Sequence, residues 1–378
     1  MSAPDTEILR ARAYLSRVAE PPAAALAAYV DHVGPVEAAE RIRRGAVPDI
    51  VRSATGSRRT VDRVDADLEA AAAVGARLLV PEDADWPRWA FAAYPAAGTR
   101  ELGAPLALWV RGPLRLGEVA ERAVAIVGAR AATGYGVHIA SDLAGGLAAA
   151  GATVVSGAAF GIDAAAHRGS LASEGPTLAV LACGIDRAYP AAHTDLLDRI
   201  AAGGLVVSEY PPGAVPARHR FLVRNRLIAG IGAGTVVVEA GLRSGAQRTA
   251  ADARALGRIL MAVPGPVTSG TSAGCHELVR SGALLVTRPE EVLEAVGRLG
   301  VDLATEPGRP TRPTDHLEPT QAAVHDALPA RAARDARWLA MEAGLPLETV
   351  RTGLLDLERL GMAEYRDGLW QRCMPSRR

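Results

Sequence analysis

Residues 220–265 decide the fold: RFLVRNRLIAG (220–230) is followed by TVVVEA (235–240), GLRSGAQRTAADARALGR (241–258) and AVPG (262–265). The run TVVVEA is apolar and β-branched, which predicts a buried strand, and a turn of small residues follows it. Helical patterns lie on either side. Strand, turn and helix in this order are typical of a parallel sheet covered by helices.

The same region is basic, although the formal charge of the whole chain is zero. Between Pro211 and Arg258 the sequence contains eight arginines but only two acids, Glu239 and Asp252. The eight are Arg218, Arg220, Arg224, Arg226, Arg243, Arg248, Arg254 and Arg258. Such a local excess of positive charge around small-residue turns predicts a surface that binds a polyanion.

Length and composition indicate a soluble protein of several domains. With 378 residues, of which 49% are hydrophobic and 22% charged, two or three domains are expected. The apolar runs are too short to cross a bilayer and the N-terminus lacks the pattern of a secretory signal, so we expect a cytoplasmic protein. Cys183, Cys275 and Cys373 are far apart, which predicts neither a disulfide framework nor a zinc site.

The chain divides into four predicted segments. Residues 1–75 read as a small all-α domain, and its turn VGPV (33–36) is either an ordinary helical turn or that of a helix-hairpin-helix-like or SAM-like domain. Residues 76–300 alternate β-branched runs with helical patterns, which predicts an extended Rossmann-like, doubly wound, mostly parallel α/β sheet. Residues 301–319 contain four prolines and read as a linker. Residues 320–378 predict three helices and a hairpin, the order of a winged helix.

Nine short strands are predicted in the α/β domain, and most are followed by Gly or Ser and then by a helix. They are LLV (78–80), ALWV (107–110), VAIVG (124–128), TVVSG (153–157), TLAVLA (177–182), LVVSE (205–209), TVVVEA (235–240), ILMAV (259–263) and LLV (284–286). Ligands of such sheets bind beyond the carboxyl ends of the strands, so these turns are the candidate site.

The predicted winged helix carries little net charge. Its predicted recognition helix, PLETVRTGLLDLERLG (346–361), contains three acids and two arginines. Helices that read a DNA groove are normally basic. We therefore expect this domain to contact a protein or to regulate, rather than to recognise duplex DNA.

The first candidate turn is AIVGARAATGYG (125–136), in which Gly128 follows a strand and Gly134 and Gly136 open a helix. Glycines at these points let a phosphate approach the backbone and the helix N-terminus, and Arg130 adds a forked donor. The spacing differs from that of dinucleotide-binding turns, and no acid follows the next strand to hold a ribose. The turn is either a phosphate-binding loop or an ordinary strand-to-helix connection, and no nucleotide cofactor is predicted.

The second candidate turn is VVSGAAFGIDAAAHRGSL (154–171). Its small loop residues are Ser156, Gly157 and Gly161. They leave a concavity lined by N–H groups, which predicts an anion-binding nest. Phe160 either packs in the core or stacks on a base. Asp163 lies in the first turn of the following helix, and we expect it to cap that helix and to hold the loop.

The third candidate is the RNR segment itself. Arg224 and Arg226 flank Asn225 at the predicted start of a helix, where their side chains diverge by about 200° around the axis. Both guanidinium groups cannot bind one phosphate, so we expect one to bind phosphate and the other to hold the loop, through Glu239. The next helix opens on Ser244 and Gly245. Its N-terminus predicts another anion site.

In number and order these segments resemble the DNA-processing (DprA/Smf) family. The matching segments are VGAR (127–130), SGAAFGIDAAAH (156–167), LACGIDRAYP (181–190), SEYPPG (208–213), RNRLIAG (224–230), EAGLRSGAQRTAADARALGR (239–258) and AVPGP (262–266). The resemblance covers essentially the whole chain. It implies a homodimer that binds and protects single-stranded DNA during natural transformation, and that loads the recombinase RecA onto DNA coated by single-strand-binding protein.

By position, the resemblance places the strand-binding surface on Arg130, the loop 156–161 and the segment 224–226. With the turns described above, the predicted DNA-binding residues are Gly128, Arg130, Ser156, Gly157, Phe160, Gly161, Arg224, Asn225, Arg226, Ser244 and Gly245, supported by Asp163 and Glu239. Such a groove binds mostly through phosphate and with little sequence preference, so affinity is expected to fall steeply with salt. The chain departs from the family pattern at Leu222 and in two later turns, which affects local loop shape.

A competing hypothesis from another class is an enzyme. The segment GIGAGTVVVEAG (230–241) distantly resembles the turn, strand and glutamate of Rossmann-like phosphoribohydrolases and lysine-decarboxylase-like proteins, with Glu239 as the catalytic acid. The proline-glycine-glycine start of that group is missing. A nuclease needs clustered carboxylates to hold its metal ions, and the turns supply only Asp163 and Glu239. We therefore expect a binding protein without catalytic residues, metal or cofactor.

Overall fold

The computed structural model describes residues 5–98, 101–297, 304 and 313–373. The chain divides into two compact units, unit 1 (Met1–Thr305) and unit 2 (Glu306–Arg378). The boundary falls inside the predicted linker at 301–319, most of which lies outside the described residues. The linker and the four-segment division therefore stay predictions.

Five helices form the N-terminal part of unit 1: α1 (Thr6–Val18), α2 (Ala24–Val33), α3 (Pro35–Arg44), α4 (Asp49–Thr55) and α5 (Val64–Ala73). α1 begins after Asp5, whose carboxylate accepts a hydrogen bond from the Glu7 amide. α2 and α3 meet at Gly34, whose φ of 86° favours glycine. Buried side chains such as Tyr14 and Leu26 belong to the same core as residues of the sheet, so these helices pack directly on it.

All nine predicted strands are present in one sheet. They are β1 (Ala76–Leu79), β2 (Leu108–Arg111), β3 (Ala123–Val127), β4 (Thr153–Ser156), β5 (Thr177–Leu181), β6 (Leu205–Ser208), β7 (Gly234–Val237), β8 (Ile259–Ala262) and β9 (Leu284–Leu285). Their order is β1-β2-β6-β5-β4-β3-β7-β8-β9; β1–β2 and β2–β6 pair antiparallel and the other neighbours pair parallel. The prediction of a Rossmann-like, doubly wound, mostly parallel α/β sheet is confirmed.

Helices cover both faces of this sheet: α6 (Arg88–Ala96), α7 (Leu116–Ala120), α8 (Gly134–Ala149), α9 (Ile162–Ala172), α10 (Thr194–Gly203), α11 (Arg218–Ile231), α12 (Gly245–Ala255), α13 (Ala273–Arg280) and α14 (Pro289–Val296). In β3, Val124 and Ile126 belong to the core of one face, and Ala125 and Val127 to the core of the other. The chain order of the strands reverses between β3 and β7. The loops after these two strands therefore leave a crevice at their carboxyl ends.

Unit 2 has a small core of its own. It consists of α15 (Pro319–Ala327), α16 (Ala336–Ala343), α17 (Leu347–Arg359) and an antiparallel hairpin of β10 (Ala363–Arg366) and β11 (Leu369–Arg372). Val324, Leu339, Leu354 and Trp370 are buried in it. Gly344 ends α16 in the left-handed region, at φ 63°. The order of elements is the one expected from the sequence, and the assignment as a winged helix stays a prediction.

Candidate nucleic-acid interface

A cleft of about 720 Å3 lies where the strand order reverses. Its walls come from the end of β3 and the loop after it, from the N-terminal half of α11 and from the start of α12. The polar residues that line it include Arg130, Asp163, Arg218, Arg224, Asn225, Ser244 and Thr249. We call it the switch-point cleft.

Glu239 fixes the loop after β3. Its carboxylate accepts hydrogen bonds from the amide and the hydroxyl of Thr133, at 2.9 and 2.6 Å, and from the hydroxyl of Thr271 at 3.2 Å. Its carbonyl accepts from the amide of Ala129 at 2.7 Å. A side chain at Gly128 would meet that carbonyl at 2.9 Å, which explains the glycine. Glu239 is 2% exposed and pairs with hydroxyls, so the predicted pairing with an arginine of the RNR segment is wrong.

Asp163 organises the loop after β4. Its carboxylate accepts from the amides of Gly157 and Ala159, at 3.2 and 3.4 Å. These two N–H groups, which the sequence assigns to an anion nest, are therefore occupied by a side chain of the protein. Burial raises the pKa of Asp163, opposed by the charge of Arg224 and by the two amides. Gly161 has a φ of 75°, and a side chain there would collide with the backbone carbonyl of Ala129.

The loop after β4 also carries an exposed aromatic side chain. Phe160 is 48% exposed and rests edge-on against His193, with ring centroids 4.6 Å apart. This placement excludes core packing and leaves a ring face accessible to a base. Two further aromatic residues, Tyr189 and Phe221, line the cleft with centroids 5.1 Å apart. The guanidinium of Arg130 lies 5.2 Å from the centre of the Phe221 ring.

The RNR segment lies in the middle of α11, because the helix begins at Arg218 and not at the segment itself as predicted. Arg224 is 4% exposed, and its Nη1 donates to the carbonyls of Gly157 and Val180, at 2.8 and 2.5 Å. Its Nε is buried without a hydrogen-bond partner among the described residues. A side chain at Gly157 would overlap this guanidinium. Burial lowers the pKa of Arg224.

Arg226 has a different environment. Its side chain is 1% exposed, and its Nη2 donates to both carboxylate oxygens of Glu209, at 2.7 and 2.8 Å. Although burial lowers it, the charge of Glu209 raises the pKa of Arg226 above its ordinary value. Arg226 is not among the residues that line the cleft. It therefore ties α11 to the end of β6, and its partner is Glu209 in place of the predicted Glu239.

The start of α12 forms the opposite wall. Asn225 donates from its amide to the carbonyl of Gly245 at 3.3 Å, which connects α11 to this helix. Ser244 is the N-cap, but its hydroxyl makes no capping bond and is buried without a partner within the described part of the chain. Ser244, Gly245 and Ala246 line the cleft, so the start of a helix, whose first amides have no partner within the helix, borders it and suits an anion.

Most of the eight clustered arginines contact the protein itself. Arg220, Arg226 and Arg248 form ion pairs, and Arg224, Arg254 and Arg258 donate to carbonyl groups. Arg218 and Arg243 are exposed, and the described residues give neither an ion-pair partner. Exposed Arg130, in the loop after β3, also has none in that part of the chain. The free positive charge at the cleft is thus smaller than the sequence indicates.

Of the predicted DNA-binding residues, six line the cleft together: Gly128, Arg130, Arg224, Asn225, Ser244 and Gly245. Ser156, Gly157 and Gly161 shape the loop behind it, since Ser156 is fully buried and donates to the carbonyl of Ile126 at 2.6 Å. Arg218, one of the eight clustered arginines, lines the cleft together with Tyr189 and Phe221, and none of the three is among the predicted DNA-binding residues. Phe221 and Arg218 lie next to the RNR segment, and the position of Pro216 as a helix-start signal would have placed them on the same helix.

Among the described residues there is no cluster of His, Cys, Asp or Glu that could hold a metal ion. A search of the same residues finds no helix that is both long and apolar enough to span a membrane.

A doubly wound sheet with a cleft at its switch point defines a Rossmann-like protein whose candidate ligand site lies at the carboxyl ends of its strands. The chain belongs to the family of DNA recombination-mediator protein A, whose model matches residues 77–297. This confirms the resemblance to the DNA-processing family.

Relatives of known name support this assignment over most of the chain. The chain is 56% identical to the putative DNA processing protein DprA of Mycobacterium tuberculosis over 365 residues, which cover 96% of this chain and 94% of the relative. It is 36% identical to protein Smf of Escherichia coli over 290 residues, 75% of this chain and 74% of that protein. The crystal structure of DNA processing protein A from Streptococcus pneumoniae aligns with a TM-score of 0.64 and 30% identity, covering 78% of this chain and 99% of that one.

Proposed function

We propose that the chain binds single-stranded DNA in the switch-point cleft and releases it chemically unchanged. The observation that carries this proposal is the arrangement of two exposed cations and two aromatic rings that line one cleft, with the exposed ring of Phe160 on the neighbouring loop. Arg130 and Arg218 supply guanidinium groups, and Phe160, Tyr189 and Phe221 supply ring faces. Phosphate contacts with base stacking bind single strands of any sequence.

Each part of the cleft has a role in this proposal. Arg130 and Arg218 bind phosphates of the strand from opposite walls. The N-terminus of α12, with the unpaired hydroxyl of Ser244, receives another phosphate. Arg224, with an unpaired Nε at the base of the cleft, stabilises a phosphate that enters deepest. Glu239 and Asp163 bind no DNA and hold the two loops in shape.

A titration of labelled oligo(dT) tests this proposal. If about five phosphates are neutralised, affinity falls about 100-fold between about 50 and 200 mM salt. Arg130→Ala and Arg218→Ala are each expected to lower affinity about tenfold and to reduce the salt slope by about 0.7. The matched control is Arg199→Ala, which removes an exposed arginine of α10 outside the cleft. A flat salt response, or equal losses in all three variants, would contradict the proposal.

We further propose that the protein acts as a cytoplasmic homodimer, which delivers the bound strand to RecA on DNA coated by single-strand-binding protein, during natural transformation or recombination. The family's description as a recombination mediator supports this role. The test is assembly of RecA filaments on coated single strands. The full chain is expected to shorten the lag before assembly, and Arg130→Ala to shorten it less. If the wild-type chain leaves the lag as long as it is without the protein, the proposed role in RecA assembly is wrong.

Unit 2 is proposed to be a winged helix that contacts a protein. Leu355 of α17 and Leu360, the residue that follows this helix, are 51% and 56% exposed, and the helix has no excess of positive charge. Duplex DNA is therefore a poor fit for this helix. The test compares the full chain with one that ends before α15, and the expected result is an equal affinity for duplex DNA at physiological salt. A clear loss of duplex binding on truncation would reverse this assignment.

The competing enzymatic hypothesis relies on Glu239. Its carboxylate is 2% exposed and accepts hydrogen bonds from Thr133 and Thr271, so it is a structural acceptor for two loops. A catalytic acid has to reach the substrate, and this group does not line the cleft. Incubation with AMP is expected to release no free base. Base release that disappears in Glu239→Gln would favour the enzyme instead.

A further inference from the structure

A second cavity lies where the N-terminal helices meet the sheet within unit 1. Its volume is about 390 Å3, within the range of about 300 to 1,000 Å3 that is usual for ligand sites. Its wall comes from the end of α1 and the loop after it, from Arg58 and Val61, and from residues of the segment 210–220 that leads into α11. We call it the seam cavity.

One carboxylate in this wall serves several cations. Arg220 donates to both oxygens of Glu20, at 2.7 and 3.0 Å, and Arg58 donates to the same group at 3.0 Å. His219 lies 3.3 Å from it. Although burial raises it, the hydrogen bonds from Arg220 and Arg58 bring the pKa of Glu20 below its ordinary value. Glu20 is therefore ionised at neutral pH and is shared between two arginines.

The third arginine of the wall has its own acid. Arg17 donates to Asp67 and, at 2.8 Å, to the carbonyl of Pro212. The residues that line the cavity thus include three arginines (Arg17, Arg58 and Arg220) and the carboxylate of Glu20. Asp67, the partner of Arg17, is not one of the lining residues. The carboxylate of Asp186 also reaches this wall, where it accepts from the amide of Gly213 at 2.8 Å. Arg58 and Arg220 nevertheless share the one carboxylate of Glu20, so a bound anion would supply a second acceptor for their guanidinium groups.

The wall also contains a hydroxyl without a partner. Tyr210 is 2% exposed, and its phenolic oxygen is buried without a hydrogen bond among the described residues. The guanidinium of Arg220 lies 4.7 Å from the centre of its ring. Burial, followed by the nearby charge of Glu209, raises the pKa of Tyr210, so the hydroxyl keeps its proton. A buried donor without a hydrogen bond is unfavourable. The described residues give the Tyr210 hydroxyl no acceptor, and an oxygen atom of a bound anion would be one.

The seam cavity and the switch-point cleft share one boundary. Ala217 and Arg218 line the cleft, whereas Val215 and Arg220 line the seam cavity. Arg218 and Arg220 are two residues apart, so their Cα atoms lie within about 7 Å of each other. Val215, on this boundary, is 57% exposed. A flexible strand that leaves the cleft past Arg218 has a short path to the seam cavity.

We propose that the seam cavity is a second phosphate subsite, which holds the continuation of the same single strand beside Arg58 and Arg220. This inference rests on the proposed function of the cleft and extends it. A short oligonucleotide fills only the cleft, whereas a longer one also reaches the seam. The N-terminal helices thereby take a direct part in binding.

The test compares oligo(dT) of about 5 and about 15 nucleotides, lengths that bracket common single-strand sites. Arg58→Gln removes a cation of the seam cavity, and its side chain is 44% exposed. The matched control is Arg41→Gln, also 44% exposed and paired with an acid, but on α3 outside both cavities. Arg58→Gln is expected to weaken binding of the longer strand about fivefold and to leave the shorter one unchanged. Arg41→Gln should change neither.

The variant Glu20→Gln gives an effect of opposite sign. It removes the carboxylate that competes for Arg58 and Arg220, so affinity for the longer strand is expected to rise a few-fold. Equal effects of Arg58→Gln on both lengths, or a lower affinity of Glu20→Gln for the longer strand, would overturn the seam subsite. Failure of the wild-type chain to bind either length would instead overturn the proposed function of the cleft, so the two failures are distinguishable.

Discussion

Arg224 and Arg226 are two residues apart on one helix and are almost equally buried, but their surroundings differ. Arg226 forms a charge-paired contact with both oxygens of Glu209. Arg224 donates to two backbone carbonyls and lines the cleft, which Arg226 does not. On one side of α11 a positive charge is neutralised by the protein. On the other side, the charge of Arg224 is hydrogen-bonded only to carbonyls and can bind an anion.

Because of this difference, we expect the two arginines of one motif to have different roles: Arg226 in stability and Arg224 in DNA binding. A charge that is buried with its own counter-ion contributes to the fold only while both partners are present. Arg224 has carbonyls and no carboxylate among its hydrogen-bond acceptors, and only the nearby charge of Asp163 offsets its own, so it gains more from an anionic ligand than Arg226 does. We therefore expect substitutions on the Arg226 side to change the free energy of unfolding, and those on the Arg224 side to change DNA affinity.

The largest expected effect is that of Arg226→Ala. It leaves the buried carboxylate of Glu209 without a partner, and the free energy of unfolding is expected to fall by about 3–5 kcal/mol. Urea unfolding of the full chain measures this change. The double variant Arg226→Met/Glu209→Leu removes both charges and should recover most of the loss. A loss below about 1 kcal/mol in the single variant would contradict the account of this side.

The free energy of unfolding is also expected to depend on pH, through the carboxylate of Asp252 near Arg226. Asp252 of α12, which lies near enough to Arg226 to sense its charge, has its pKa raised to about 6 by burial, opposed by Arg248. The folded state binds this proton more tightly than the unfolded chain, so stability falls as the pH rises from about 4 to about 6. The contribution is up to about 3 kcal/mol. It is fully lost above about pH 6.

Asp252→Asn removes this ionisation. Relative to the wild-type chain, the variant is expected to be more stable at pH 7 than at pH 4 by up to about 3 kcal/mol. Urea unfolding of both chains at the two pH values gives the comparison. A stability difference that is the same at both values would show that Asp252 does not titrate in this range.

On the other side of α11, Arg224→Met is expected to lower affinity for oligo(dT) about 30-fold, as expected when a buried charge-assisted contact is lost. The free energy of unfolding should fall less than in Arg226→Ala, because the hydrogen-bond acceptors left behind are carbonyls, and Asp163, which loses only a nearby charge, keeps its two amide donors. Titration and urea unfolding of the two variants, side by side, measure the contrast. Greater loss of affinity in Arg226→Ala than in Arg224→Met would reverse the assignment of the two sides.

Gly157→Ala tests the same contact without removing a charge. A Cβ at this position would overlap the guanidinium of Arg224 and displace it. Affinity is expected to fall in the same direction as in Arg224→Met, and the control substitution Gly203→Ala in α10, where a Cβ meets nothing nearby, supplies a comparison for its effect on stability. Unchanged affinity in Gly157→Ala would show that the position of Arg224 is unimportant.

The smallest effect is expected from the exposed ring beside the cleft. Phe160→Leu removes a stacking surface but keeps an apolar side chain, and affinity for oligo(dT) should fall about fivefold at any salt concentration. The control Tyr365→Leu changes a ring of similar exposure in unit 2, 50% against 48%. A salt-dependent loss, or an equal loss in the control, would remove Phe160 from the site.

The fold was predictable from the sequence because its signals are local. Each of the nine strands is a short β-branched or aliphatic run closed by a turn of small residues, and burial on both faces makes such runs continuous. The glycines of the loops could be recognised from the same turns, but two of them are required by contacts between distant parts of the chain. At Gly128 and Gly161 a side chain would collide with backbone that lies close by.

The partners of the arginines were not predictable, because they depend on contacts between distant parts of the chain. Glu209 follows β6 just as Glu239 follows β7, and both carboxylates are buried. A buried carboxylate needs a partner, and this holds for Glu209 as much as for Glu239. Only the packing of the chain decides which of the two carboxylates meets Arg226. The start of α11 at Arg218 likewise follows from its packing and from Pro216, and not from the charge pattern.

The most direct test of the account is to locate the bound strand. Photo-crosslinking of iodouracil-substituted oligo(dT) to the full chain, followed by mass spectrometry of the peptides, reports which aromatic side chains the bases touch. The account predicts crosslinks at Phe160, Tyr189 and Phe221, around the switch-point cleft. Crosslinks confined to the aromatic residues of unit 2, such as Trp338 and Trp370, would contradict it.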